Sequence, residues 1–558
     1  MPAPPYLISS VMPPSESPYP YRNQLCIFVY TMVYSFALPT TSHLSFQSYL
    51  SSSTHPSLPQ LASTARHGLR FALKLYKRSH HTERVGHLPS ILDALNDYLP
   101  YLFAISNGLS DKPVGIDGEE VEITLRAEIE VEWRPTLTSS TSILKGIRDG
   151  GRIRGRGLDF EVSFVLTTLG YVLSGLAGNR VLQTMYAPST PTSEERTTAI
   201  QTATRQLLQA SATHLFLASF PSFSFELAGA VVVSDLDPGI QAALSTLALA
   251  EATLLAVLKD DAYTSTCIQS RNPHDKEWMV RAPEIPKVRA LLFVRLCVRG
   301  AEYAEQAADG LGAFRGNDKI DEDLIKYAQQ LGRVARARAC RFFAVDAELA
   351  GKVGDSIAWL RAGRGALGFK SALEDEQGTG KRKGGLSKLR QDWTERREER
   401  KIEKGADING RPKGKLDWGN DAGWEEECRV LEMLETKWAK MNDTVSRSKY
   451  HSFLYPCPLP RRLPAMLTVG QINTQLIPSS TSLLSKLPSG RDIHTPPGPY
   501  VPPSLDKNQL VRMRAPPEDE EISEFMENDS DEETEASSKV SSMAFPGPKS
   551  MASDVPYY

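Results

Sequence analysis

A few groups of residues in this sequence have types and spacings that invite a chemical reading. GRGALG, residues 363–368, has the G-x-G-x-x-G spacing with which glycine turns bring a pyrophosphate to a helix N-terminus. That geometry needs a strand before the first glycine, and the preceding SIAWLRA carries a helical pattern, so a nucleotide site is not expected. GTGKRK, from Gly378, lacks the first glycine of a phosphate loop at the required distance. His80, His81 and His87 offer imidazoles to a metal, but they lie in a polar stretch without acids at ligand spacing. Cys26, Cys267, Cys297, Cys340, Cys428 and Cys457 are all isolated, and without a C-x-x-C pair neither a zinc ribbon nor a dithiol redox site is expected. No G-x-S-x-G motif and no Cys/His context of a thiol protease is present, and no nucleophile, base and orienter can be assembled. The expectation is a protein that is not an enzyme, with no catalytic residues, no cofactor and no metal.

Bulk properties fit that expectation. The chain has 558 residues, 41% apolar and 23% charged, which is the composition of a folded globular protein. A formal net charge of −3 gives no footprint for nucleic acid. Cys297, Cys340 and Cys428 fall inside apolar helical patterns and read as buried thiols, and isolated cysteines in a chain of this length suggest a reducing, cytoplasmic setting.

The elements that must position any site are helical. ILDALNDYLPYLFAI places Ile91, Leu92, Leu95, Leu99 and Leu102 at helical spacing. GLDFEVSFVLTTLGYVLSGLAG, after a Gly/Arg-rich loop, is too apolar all round for a surface helix and predicts a buried one. PTSEERTTAIQTATRQLLQASATHLFLASF opens with a capping box of Thr192 and Glu195 and continues with Ile200, Ala203, Leu207, Ser211, His214 and Ala218 three and four apart. DPGIQAALSTLALAEATLLAVLK starts with Asp237 as cap and Pro238 at the first helical position. Further helices are predicted over PKVRALLFVRLCVRGAEYAEQAA and EDLIKYAQQLGRVARARACRFFAVDAELAGK. Another covers NDAGWEEECRVLEMLETKWAKMNDT, where Trp424, Cys428, Leu431, Leu434, Trp438 and Met441 make one stripe. Only VEITLRAEIEVEW, residues 121–133, could be read as strand or helix. Successive helices with small residues at their crossings predict a solenoid or bundle.

Between Leu373 and Lys415 the chain becomes densely charged, which reads as a solvated helix and loop. After Pro456 it is Pro-rich, and EDEEISEFMENDSDEETE, residues 518–535, is an acidic, aromatic-poor tail expected to be disordered. YPCPL, residues 455–459, has the form of a short docking motif that seats a Tyr and a Leu in apolar pockets.

The segments FALPTTSHLSFQSYLSSSTHPSL, ILDALNDYLPYLFAI, EVEWRPTL, GRGLDFEVSFVLTTLGYVLSGLA, RTTAIQTATRQLLQASATHLFLASF, GDSIAWLRAG, WAKMNDTV and LPSGRDIHTPPGPYVPP occur in an order that resembles the Bro-domain family, and within it the branch of fungal ambient-pH signalling. The resemblance covers roughly residues 32–515. It implies an all-α fold with a small β element, a curved helical solenoid with a TPR-like core, over residues 32–515. It also implies a flexible charged loop at 373–415 and an insert at 446–472 that matches nothing in the family and contains YPCPL. An acidic tail follows at 516–558. The apolar run LCIFVYTMVYSFALPTT straddles the start of the match. It is too short to span a bilayer and lacks a signal-peptide layout, so residues 1–31 are expected to be an extension or a gene-model artefact, with Met32 as the functional start.

What the resemblance implies for function is a non-catalytic adaptor. Such proteins bind the C-terminal amphipathic helix of an ESCRT-III subunit in an apolar groove. They link it to components of a pH-sensing complex and to a separate calpain-like protease that activates the transcription factor PacC. Membrane association would be peripheral and through partners only, at plasma-membrane or endosomal sites. The alternative is a general endosomal-sorting adaptor. By the same resemblance Leu215, Phe216 and Phe220 are candidates for the groove, with burial in the core as the competing reading, and Arg491 in LPSGRDIH would order its motif or touch the partner.

Overall fold

Each run with apolar residues three and four apart forms a helix in the computed structural model, which describes residues 33–115, 118–138, 151–187, 191–219, 233–269, 287–314, 319–369, 421–451, 476–480, 482–494 and 498–515. In chain order the helices are α1 (Leu58–Arg78), α2 (His81–Arg84), α3 (Leu88–Gly108), α4 (Leu158–Met185), α5 (Ser193–Ser219), α6 (Pro238–Asp260), α7 (Ala262–Gln269), α8 (Lys287–Gly312), α9 (Glu322–Leu349), α10 (Val353–Ala366), α11 (Trp424–His451) and α12 (Lys507–Met513). The expected features at 1–31, 373–415 and 516–558, most of 446–472, the YPCPL motif, Gly378, Cys26, Cys457 and Phe220 lie outside the described residues. The fold is mostly helical, as the patterning predicts, with the small sheets that the family resemblance implies.

Start signals act where the sequence puts them. The Asp237 carboxylate accepts from the Ile240 N–H at 3.0 Å, with Pro238 opening α6. Thr192 and Glu195 cap α5 reciprocally, the Glu195 N–H donating to Thr192 Oγ1 at 3.2 Å and the Thr192 N–H to Glu195 Oε2 at 2.9 Å. From α3 onward each long helix packs on the next: α3 on α4, then α5, α6, α8, α9, α10 and α11, with α7 tucked against α11.

The two most apolar helices show why this order holds. By length and composition α4 and α6 could cross a membrane, but their apolar windows are 94% and 78% buried in protein. A helix apolar on every face has to be covered on every face, and α4 is, by α3 and α5 with β4 beside it. Close approach needs small residues. A Cβ on Gly170 of α4 would collide with the His214 imidazole of α5. Gly170→Ala is therefore expected to destabilise the fold by about 1–3 kcal/mol, measured as a shift in the urea midpoint at unchanged m-value.

Residues 33–38 belong to this core. Val33, Tyr34, Phe36 and Leu38 are buried, and the Phe36 ring stacks on Tyr171 of α4 at 4.5 Å. The carboxy-terminal part of the apolar run at 25–41 is thus covered by protein.

The segment whose period was ambiguous, 121–133, is β. β3 (Ile123–Leu125) pairs antiparallel with β2 (Leu50–Ser52). β4 (Glu130–Arg134) lies between β1 (Thr40–Thr41) and β5 (Ile153–Arg156) in a three-stranded antiparallel sheet, with Trp133 opposite Thr41 and Ile153. Alternation decides it: Val131 and Trp133 face the core while Glu130 and Glu132 face out beside Arg154 and Arg156. The Gly/Arg-rich stretch expected to be a loop thus contains β5. Its Gly155 lies so close to the Phe160 ring that a side chain would not fit, and its arginines find cross-strand acids.

The sheet is tied to the helices by one buried carboxylate. Glu161 of α4 is fully buried. It accepts from Arg66 Nε of α1 at 2.7 Å, Tyr98 Oη of α3 at 3.0 Å and Trp133 Nε1 of β4 at 2.6 Å. Three elements converge on one charge, satisfied as a buried charge must be.

Candidate functional site

Helix α5 presents one apolar strip to the surface. Leu208, Ala212, Leu215 and Phe216 follow at spacings of four and three and are half-buried or exposed, Leu215 to 46%. The opposite side of α5, with Ala203, Leu207, Ala210, His214 and Leu217, is buried. The His214 Nδ1–H donates to Gln241 Oε1 of α6 at 2.7 Å, and burial pulls its pKa down to about 4, so it is neutral at physiological pH. Leu215 thus lies on the solvent side and Phe216 at the rim, with its ring 5.5 Å from Tyr500.

Tyr500 belongs to an extended carboxy-terminal strap that recrosses the helical stack. Ile477, Leu483 and Leu487 pack on Cys340 of α9 and Ala358 and Ala362 of α10. The chain then meets α8. The Arg491 N–H donates to the Arg295 carbonyl at 3.2 Å, and the Asp492 carboxylate accepts from Arg299 Nε at 2.7 Å and Tyr303 Oη at 2.6 Å. Those two donors hold the Asp492 pKa below the ordinary carboxylate range, while Asp492 and then Glu302 raise that of Arg299. Gly490 lies so near that a Cβ there would come within 2.9 Å of Arg299 Cα, which explains glycine in this motif. After Tyr500 passes Phe216, Leu505 and Leu510 close over Gly115. The strap ends at the base of α1, where the Ala515 N–H donates to the Thr54 carbonyl at 2.7 Å and Arg514 pairs with Glu119 at 2.7 Å.

Phe216 and Arg491 therefore lie along the same strap but at different crossings, one on α5 and one on α8. Arg491 is exposed, and the ion pair that fastens its motif is made by Asp492. Sequence reasoning passed over Asp492. Its signal was present, an acid next to the tight glycine of GRDIH, but its partner is nearly two hundred residues upstream.

Buried charge fixes the helices that carry this surface. Arg341 of α9 donates from Nε to Glu427 Oε1 of α11 at 2.6 Å and from Nη1 to Asp261 Oδ1 at 3.1 Å, and Arg338 Nε reaches Glu427 Oε2 at 3.2 Å. All four side chains are at most 1% exposed. Burial alone would raise the Asp261 pKa, but Arg341 beside it outweighs burial and leaves the carboxyl below its ordinary range. On α6, Glu251 accepts from the Tyr34 N–H and from Tyr327 Oη, both at 2.8 Å.

The arrangement offers little to bond-making chemistry. Burial pushes the thiols of Cys297, Cys340 and the half-buried Cys428 up to about 12, far from a nucleophilic thiolate. Gly363 and Gly365 lie within α10, directly after α9 and with no strand before them. No group of three or more potential metal ligands occurs among the described residues. What the surface does offer is a half-exposed apolar strip beside an extended strap, a geometry for holding another chain.

Comparison with known proteins gives two matching sequences. The pH-response regulator protein palC of Emericella nidulans is 54% identical over 533 residues, covering 92% of this chain and 99% of that one. The pH-response regulator protein palC of Yarrowia lipolytica is 29% identical over 148 residues, 26% of this chain and 30% of its own. No protein-family model matches. Among solved structures, the ALIX BRO1 CHMP4C complex aligns over 81% of this chain and 99% of that one at 14% identity and a TM-score of 0.42. A structure described as the basis for endosomal targeting by the Bro1 domain aligns over 82% of this chain and 95% of that one at 14% identity and a TM-score of 0.37.

Proposed function

The chain belongs to the palC family of pH-response regulators, and we propose that it works there as a Bro-domain adaptor that holds the C-terminal helix of an ESCRT-III subunit. The observation that carries the regulatory reading is the 54% identity across nearly the whole of both chains. The adaptor reading rests on the Bro-domain resemblance of the sequence. It is supported by the half-exposed strip of Leu208, Ala212, Leu215 and Phe216, whose spacing suits an amphipathic helix laid alongside. In this reading the protein sits in the cytoplasm, reaches plasma-membrane or endosomal sites through its partners, and brings the ESCRT-III subunit to a pH-sensing complex and to a separate calpain-like protease that activates PacC.

Calorimetry of the full chain against a peptide of the ESCRT-III C-terminal helix tests this. Saturable binding is expected. Leu215→Asp places a charge on the strip without disturbing the core and should weaken binding at least about tenfold. Arg491→Ala, at the other crossing, reports whether the partner reaches α8. Absence of binding at high peptide concentration, in protein with an unchanged melting curve, would remove the ESCRT-III reading and leave the family membership intact.

A further inference from the structure

The outward face of α1 is apolar and lined by positive charge. Leu61, Thr64, Gly68, Phe71 and Leu75 recur three and four apart, and Phe71 is 64% exposed. The buried face of α1, with Ala62, Arg66, Leu69 and Leu73, is opposite, so the exposed stripe is additional to what the fold requires. His67, Lys74 and Arg78 flank it, with Arg70 and Lys77 next to them. Desolvation and the like charges of Arg70, Arg152 and Arg78 lower the pKa of Lys74, a sign of how closely the cations are set. An exposed phenylalanine between leucines on a soluble helix marks a contact surface.

The strap ends at the foot of α1, and the sequence that follows it is of opposite charge. The strap is fastened there by the Ala515–Thr54 hydrogen bond and by Glu119, which pairs with both Arg514 and His55. Three residues further on begins EDEEISEFMENDSDEETE, residues 518–535, with no Lys or Arg. Within it Ile522, Phe525 and Met526 are spaced as i, i+3 and i+4, one side of a helical turn. Phe71 lies ~20 Å along α1 from Leu58 at ~1.5 Å per residue. The ten residues 516–525 reach up to about 33 Å when extended. The tether is therefore long enough, and it starts at the correct end.

We propose that the acidic segment 518–535 docks on the α1 face of its own chain, with Ile522, Phe525 and Met526 against Leu61, Phe71 and Leu75 and its carboxylates along Arg70, Lys74, Lys77 and Arg78. Each contact is weak alone, but tethering at Ala515 makes docking intramolecular, with an effective concentration no free acidic peptide would match. Covering this face until a partner displaces the segment would make α1 a regulated surface, separate from the strip on α5.

Zero-length carboxylate-to-lysine crosslinking of the full chain, read by mass spectrometry, tests the contact. Links from Lys74 and Lys77 to acids within 518–535 are expected in monomeric species. They should fall about fivefold in Phe71→Asp and in Phe525→Asp, and on raising salt from about 0.1 M to about 1 M, where screening shortens to ~3 Å. Melting curves confirm that both variants fold, as expected for an exposed residue and a tail residue. Links no more frequent than at lysines remote from α1, or unchanged by both substitutions, would overturn the proposal. Links confined to dimers would assign the face to a second copy. Sedimentation of the full chain with phosphatidylserine vesicles that is lost in Phe71→Asp, without intrachain links, would assign it to a membrane. Either result overturns the intramolecular contact.

Discussion

Arg341→Met lowers the stability of the protein by on the order of 3–5 kcal/mol, because it strands the buried Asp261 carboxylate and takes the closest donor from buried Glu427. Asp261 and Glu427 both lie at 0% exposure, and each takes its principal donor from Arg341. With Arg341 gone, Arg338 still reaches Glu427, but among the described residues no other arginine is bonded to Asp261, whose side chain keeps its bonds from Thr264. A methionine fills the volume, so the loss is electrostatic rather than a cavity. The cost falls on α11, which Glu427 joins to α9, and on the junction of α6 and α7, where Asp261 sits. Chemical denaturation measures it. The companion variant Arg341→Met, Asp261→Asn removes the stranded Asp261 charge while Glu427 stays paired with Arg338, and it should recover much of the loss. A single variant as stable as the parent would show that this network does not carry the packing assigned to it.

Glu251 makes stability fall as pH rises. Its side chain is 2% exposed, and burial raises its pKa from 4.5 to about 8, against the hydrogen bonds from Tyr34 and Tyr327 that favour the charged form. The folded protein therefore holds a proton that the unfolded chain releases above 4.5. The contribution is fully present below that pH and is lost as pH climbs through about 8. The expected loss is on the order of 3–5 kcal/mol between about pH 5 and about pH 8.5. Burial also raises Asp235 and Asp421, which add to the same slope. The difference between the parent and Glu251→Gln isolates the Glu251 part, since glutamine keeps the two acceptor contacts and does not titrate. Urea midpoints at several pH values should fall less steeply in the variant. Parallel slopes would show that Glu251 is ionised in the fold throughout. The element most exposed to this titration is the segment around Tyr34, which Glu251 pins between α6 and α9.

Most of the helices could be read from the chain because their evidence is local. Asp237 with Pro238, and Thr192 with Glu195, cap the helices they were expected to cap. The all-round apolarity of residues 158–178 required a buried helix whatever lay around it. The strands were less legible. β1, β2 and β5 are two to four residues long, too short for a period to register, and exist because β4 and β3 provide partners distant in sequence. The strip on α5 was half legible. Spacing placed His214 on one face, but whether Leu215 and Phe216 met core or solvent depended on where Tyr500 and α6 came to lie.

Sequence by itself determined the helical class, the caps, the lack of a recognisable catalytic set and, through ordered motifs, the family. Those are short-range patterns, and hydrophobic periodicity and capping need no knowledge of the rest of the fold. Tertiary structure alone decided which charges are brought together. Arg341 with Asp261 and Glu427, Glu161 with Arg66, Tyr98 and Trp133, and Asp492 with Arg299 and Tyr303 join residues far apart in the chain. An isolated Arg or Glu in a helical pattern looks the same in sequence whether it is solvated or buried. Only the packing that removes water reveals which of them must find a partner.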